Sequence, residues 1–120
     1  MENICEPYKL ASMNIQDMES KADEAAALLA SMANSRRLLV LCHLVRGEYS
    51  VGALAERVGL SQSALSQHLA KMRVQGLVEA RREGQTVYYR LAGQEVLAVL
   101  ETLYGIYCGV DAVPEDAAGA

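Results

Sequence analysis

Three cysteines, two histidines and one stretch rich in Gln, Ser and basic side chains carry the chemistry open to this 120-residue chain. Cys5, Cys42 and Cys108 are spread along its length, and His43 and His68 are its only imidazoles. Thiolates and imidazoles gathered at tetrahedral distances bind soft metals. Cys42 and His43 are adjacent, so on a helix they diverge by about 100° and chelate poorly. A set of Cys42, Cys108 and Cys5 stays open but needs the N-terminal segment. Free cysteines also serve as small buried hydrophobes, so residue type alone leaves these thiols either inert or reactive. There is no placed Ser/His/Asp set, no paired-carboxylate pattern in a pocket and no phosphate-cradling Gly loop. No enzyme and no cofactor are expected.

The second candidate chemistry lies in QSALSQHLAKMRVQ, residues 62–75. On a helix, Leu65, Leu69 and Met72 form an inward stripe. Gln62, Ser63, Ser66, Gln67, Ala70 and Arg73 then face outward, with His68 and Lys71 at the margin. Gln pairs with the N6/N7 edge of adenine, and Ser serves base or phosphate. A helix N-terminus adds affinity for phosphate. Such a face suits the major groove of DNA; the plainer reading is a solvated face in a protein-binding module.

Charge placement favours an anion. The chain carries a net −4, yet residues 33–93 hold nine Lys/Arg against four Glu. Residues 1–32 hold two bases against six acids, and residues 94–120 hold five acids and no base. A basic centre between acidic flanks is the pattern of a middle that meets nucleic acid. Arg81, Arg82, Arg90 and Lys71 are the candidates for phosphate contact, with Arg82 and Gln85 flanking a hairpin tip.

These side chains need elements to hold them. With 52% apolar and 22% charged residues, one packed domain is expected, and no apolar run reaches membrane-spanning length. The start, MENICEPYKL, lacks the pattern of a secretory signal. A cytoplasmic location and reduced thiols are therefore expected. Residues 1–13 read as a flexible arm, 14–109 as the folded domain and 110–120 as a disordered acidic tail. Asn14 caps a first helix in which Ile15, Met18, Ala22, Ala25, Leu29 and Met32 step by three and four. A second helix follows Asn34 and ends at Gly47. It is apolar on nearly every side from Leu38 to Val45, so it is expected to be buried. Ser50 and Ser61 cap a third and fourth helix, closed by Gly59 and Gly76, in a helix-turn-helix arrangement. The period then falls to two, and LVEARR and QTVYYRL read as strands around Glu83-Gly84. A last helix from Gln94 to Cys108 repeats the three-four step at Leu97, Leu100, Tyr104 and Tyr107. The fold class is mainly α with a small β component: a winged helix-turn-helix with an extra helix at each end. Met18, Ala22, Ala25, Leu29, Leu97, Leu100 and Tyr104 are expected at a homodimer interface.

The segments LASMANSRRLLVLCHLVR (29–46), SQSALSQHLAKMRVQGLV (61–78) and TVYYRL (86–91) resemble the ArsR/SmtB family of dimeric winged-helix repressors. The resemblance covers about residues 15–108. It implies a homodimer paired through the first and last helices, and operator DNA bound by the helix after Ser61 and by the wing. Metal sensors of that family carry a Cys pair at the start of the helix-turn-helix, where this chain has Tyr49-Ser50-Val51-Gly52. Others carry His and acidic ligands on the last helix, which here contains no His. Cys42 and Cys108 instead resemble the thiol pair of the persulfide-sensing, BigR- and SqrR-like branch. That resemblance implies a polysulfide bridge between them, release of the operator and control of sulfide-detoxification genes. A metal- or metalloid-responsive repressor, a general thiol-disulfide repressor and a protein-interaction adaptor stand as alternatives. Arg46, four residues after Cys42, is expected to favour its thiolate. Cys108, at a helix C-terminus before the acidic tail, is expected to ionise less readily. Cys42 is therefore expected to attack first, and Cys5 to be dispensable.

Overall fold

The computed structural model describes residues 12–109. Cys5, most of the expected arm and the expected tail lie outside the described residues. Asn14 opens α1 (Ile15–Glu19), its side chain accepting from the Gln16 N–H. The expected long first helix is in fact two, because Ser20 and Lys21 break it before α2 (Ala22–Met32). The Ser20 hydroxyl donates to the Asp17 carbonyl at 2.9 Å, and the Lys21 N–H tightens onto Met18. Serine competing locally for helical carbonyls is what interrupts the periodic pattern.

Asn34 caps α3 (Ser35–Val45) by accepting from the N–H groups of Arg36 and Arg37. Only one side of α3 is buried, through Val40, Leu41 and Leu44. Leu39, Cys42 and Val45 stay exposed, which corrects the expectation of burial all round. Ser50 caps α4 (Val51–Val58), and Gly59 ends it at φ +71°. That left-handed position suits glycine at a helix C-terminus. Ser61 caps α5 (Gln62–Val74), which buries Leu65, Leu69 and Met72 completely. Together α4 and α5 form the helix-turn-helix.

A three-stranded antiparallel sheet follows, in the order β1 (Tyr49–Ser50), β3 (Thr86–Leu91), β2 (Val78–Glu83). The short β1, pairing Tyr49 with Tyr89 and Ser50 with Tyr88, has no period of its own to betray it in the sequence. Glu83 pairs with Thr86, so the wing turns at Gly84-Gln85, one residue later than expected. Gly84 has φ +64° and Gln85 does not share it, the pattern of a type II′ hairpin. The last helix, α6 (Gln94–Tyr107), ends with Cys108 at its C-cap. The core joins Met32, α3, both helices of the helix-turn-helix, Leu77, Val78, Val96 and Leu100. No single helix among the described residues is long and apolar enough to cross a membrane.

Candidate nucleic-acid interface and thiol pair

With its apolar stripe pinned in the core, α5 presents Gln62, Ser63, Ser66, Gln67 and Lys71 to solvent. The Ser61 hydroxyl accepts from the Ala64 N–H at 3.1 Å and lies 3.4 Å from that of Ser63. An open groove of about 480 Å³ runs between α5 and the wing. Gln62 and Ser66 line one wall, Gln85, Thr86 and Val87 the other, and Ser50, Val51 and Gly52 of the α4 N-terminus the end. The fold thus brings together Gln62, Ser66 and Gln85 of the expected DNA-contact set. Ser63, Gln67 and Lys71 lie on the same exposed helix but outside the groove.

Ser50, Gly52 and Thr86 are additions that sequence reasoning missed. Ser50 was legible only as a cap. That its helix N-terminus points into the groove depends on the packing of α4 against β3. A Cβ at Gly52 would stand 3.5 Å from the Gln62 amide nitrogen, an ordinary van der Waals contact.

The basic residues divide. Arg82 is exposed and sits opposite Val87 in the hairpin, on the strand face that reaches the groove. Arg81 and Arg90 lie on the other face and are already engaged, which corrects their expected role as phosphate contacts. Arg81 holds Glu48 bidentately, at 2.8 and 3.1 Å, and also reaches Glu83 at 3.1 Å. Its guanidinium stacks over Tyr88 at 4.7 Å from the ring centre. The Arg81 hydrogen bond holds the Glu48 carboxyl below its ordinary range. Arg90 donates to Glu79 through two nitrogens, at 2.9 and 3.2 Å. His68 is partly buried, and its Nδ1 lies 3.4 Å from an Arg37 nitrogen.

Both described cysteines are free thiols at the surface. Cys42 lies on the exposed side of α3 with Leu39 and Val45, and Cys108 ends α6 beyond Ile106 and Tyr107. Partial burial pushes the Cys42 thiol above its ordinary range, and the charge of Cys108 pushes it further. The causes of that shift are burial and Cys108, so nothing supports the expected stabilisation of the thiolate by Arg46. Among the described residues no three His, Cys, Asp or Glu gather as a metal site.

The expected interface residues also divide. Met18 and Leu29 are exposed in the single chain, Leu29 by 55%. Ala22 and Tyr104 are exposed as well, and Ala25 and Leu97 are partly buried. Leu100, at 6%, belongs to the chain's own core, which corrects its place at an interface.

Residues 34–80 match the family model described as bacterial regulatory protein, arsR family. The transcriptional activator HlyU of Vibrio cholerae is 54% identical over 103 residues, 85% of this chain and 95% of that protein. Its solved reduced form superposes with a TM-score of 0.72 over 78% of this chain and 98% of its own. The transcriptional repressor BigR from Xylella fastidiosa has a TM-score of 0.76 at 41% identity, over 80% of this chain and 98% of its own. A homodimeric winged helix-turn-helix DNA-binding domain from Mycobacterium bovis has a TM-score of 0.68 at 35% identity, over 81% of this chain and 89% of its own.

Proposed function

The chain belongs to the ArsR family of bacterial regulatory proteins, a family of DNA-binding transcription regulators rather than enzymes, and we propose that it is a homodimeric repressor released from its operator when reactive sulfur bridges Cys42 and Cys108. The observation that carries this reading is the placement of two free surface thiols, Cys42 on the exposed side of α3 and Cys108 at the C-cap of α6; the upward push of Cys108 on the Cys42 thiol agrees with it. Two further facts support it: a relative of known structure is described by its reduced form, and another as a repressor.

The chemistry balances with a low-molecular-weight persulfide as oxidant. Each protein thiolate takes the sulfane sulfur of one donor, and the donor leaves as a thiol. One protein persulfide then attacks the thiol sulfur of the other and expels hydrosulfide, closing a bridge with one extra sulfur. A longer chain of sulfurs spans distances that the fixed geometry of a disulfide does not. Partial burial and Cys108 push the Cys42 thiol up, so the order of attack expected from Arg46 has no support. The bridge ties α3, a helix that packs on α4, to α6. Operator contact is assigned to Gln62, Ser63, Ser66, Gln67, Lys71, Arg82 and Gln85, with Ser50 and Thr86 added from the groove. By the same reading the controlled genes handle sulfide, and the protein works in the cytoplasm.

Intact-mass and peptide mass spectrometry after treatment with a persulfide donor test the bridge. The expected product links the peptides of Cys42 and Cys108 within one chain, with added sulfur and two hydrogens lost, and is absent from Cys42→Ser. A donor-treated protein whose thiols carry only separate adducts contradicts the reading. Tight stoichiometric zinc in a titration would move the assignment to a metal-responsive regulator.

A further inference from the structure

Arg37 stands in the first turn of α3, at the corner where α2 gives way to it, and its guanidinium is committed inside the chain. Nε donates to the Ser31 carbonyl at 2.6 Å, and Nη2 reaches the Ala30 carbonyl at 3.5 Å. Both carbonyls lie in the last turn of α2, where C=O groups lose their regular helical partners; that of Ala30 also accepts the Ala33 N–H at 3.3 Å. Nη1 faces Nδ1 of His68, on α5, at 3.4 Å. A guanidinium only donates, so Nδ1 accepts and the imidazole proton sits on Nε2. The neighbouring Arg36 reaches the other helix of the helix-turn-helix: its Nη1 donates to the carbonyl of Val58, the last residue of α4, at 2.9 Å. Adjacent arginines at the N-terminus of α3 thus hold both helices of the reading head.

We propose that Arg37 is a positioning residue for operator binding: through neutral His68 it fixes the angle of α5 against the α2–α3 corner, and it touches no DNA itself. A proton on Nδ1 removes the acceptor and sets an imidazolium against two cations, Arg37 from α3 and Lys71 from α5 itself. Burial, then Arg37, then Lys71 hold the His68 pKa below its ordinary 6.5. The sign follows from that depression. The arrangement is intact above the ordinary histidine value and weakens as pH falls beneath it. A histidine in contact with phosphate behaves in the opposite way, because its protonation strengthens DNA binding.

Fluorescence anisotropy on the full chain, from about pH 8 to about pH 5.5, decides between these. The probe is a duplex selected by the protein from random-sequence DNA, and a non-specific duplex of equal length is the reference. For the wild type, the ratio of specific to non-specific affinity falls about tenfold toward acid. His68→Gln, whose amide oxygen accepts at every pH, loses that dependence. Arg37→Lys keeps the charge but not the planar fork, and its ratio is about tenfold lower already at pH 8. Nitrogen-15 NMR finds Nδ1 of His68 unprotonated in the wild type. A wild-type ratio that is flat or rises toward acid overturns the proposal, as does an Arg37→Lys ratio equal to that of the wild type. If Arg37→Lys fails to fold, the pH profiles of the wild type and His68→Gln decide alone. The proposal rests on α5 being the reading helix, and Gln62→Ala separates the two. An unchanged ratio in Gln62→Ala with a lowered one in Arg37→Lys removes the groove assignment and leaves Arg37 standing; the reverse removes Arg37.

Discussion

At the scale of single residues, the basic side chains show how charge in a sequence differs from charge available to a ligand. Arg81, Arg82 and Arg90 look alike along the chain. In the fold Arg81 is bound by Glu48 and Glu83, and Arg90 by Glu79. Only Arg82 of the three has no intramolecular ion pair among the described residues. A charge already neutralised releases few counterions when DNA arrives. Arg82→Ala should therefore lower the log–log salt slope of DNA binding by about one, whereas Arg81→Ala should leave it nearly unchanged. Affinity titrations across a salt series check this, and equal slope losses in both variants would contradict it. The identity of the paired arginines was not legible, because Glu48 is 33 residues from Arg81 and meets it only across the sheet. Cys42 carries the same lesson. Arg46 looked like its natural partner by helical spacing, yet burial and a thiol 66 positions away set its acidity.

At the scale of elements, caps and periods were read well where they act locally. Asn14, Asn34, Ser50 and Ser61 each accept a backbone N–H at the expected helix start. The inward stripe of α5 was legible too, because three- and four-residue spacing depends only on helix geometry. Two things were not. The break at Ser20 depends on a side chain choosing a local carbonyl, and β1 exists only because β3 offers it an edge. The stepped apolar residues of α2 and α6 look equivalent along the chain, but their burial separates them. Leu29 is available to a second copy, while Leu100 fills the chain's own core. Leu29→Glu should dissociate the proposed dimer with little loss of fold. Leu100→Ala should destabilise the fold by about 2–5 kcal/mol. Sedimentation and thermal melts distinguish these outcomes; a Leu29→Glu protein that remains dimeric contradicts the assignment of that face.

At the scale of the whole molecule, α3 is the element on which the account converges. Its N-terminal arginines grip α2, α4 and α5, and its exposed side carries Cys42. A tether from Cys42 to Cys108 would pull on the helix that holds the reading head, and couplings of about 1–3 kcal/mol are enough to alter DNA affinity 5- to 150-fold. The fold and the face of α5 were legible from pattern and resemblance; the grip of Arg36 and Arg37 was not, since it joins elements distant in sequence. The most direct measurement is the affinity for the selected duplex before and after a persulfide donor, for the wild type, Cys42→Ser and Cys108→Ser. The wild type should lose affinity within that range and recover it on reduction, while both serine variants keep the DNA throughout. Equal release by Cys108→Ser, or a fully bridged wild type that still holds the duplex, would contradict the account.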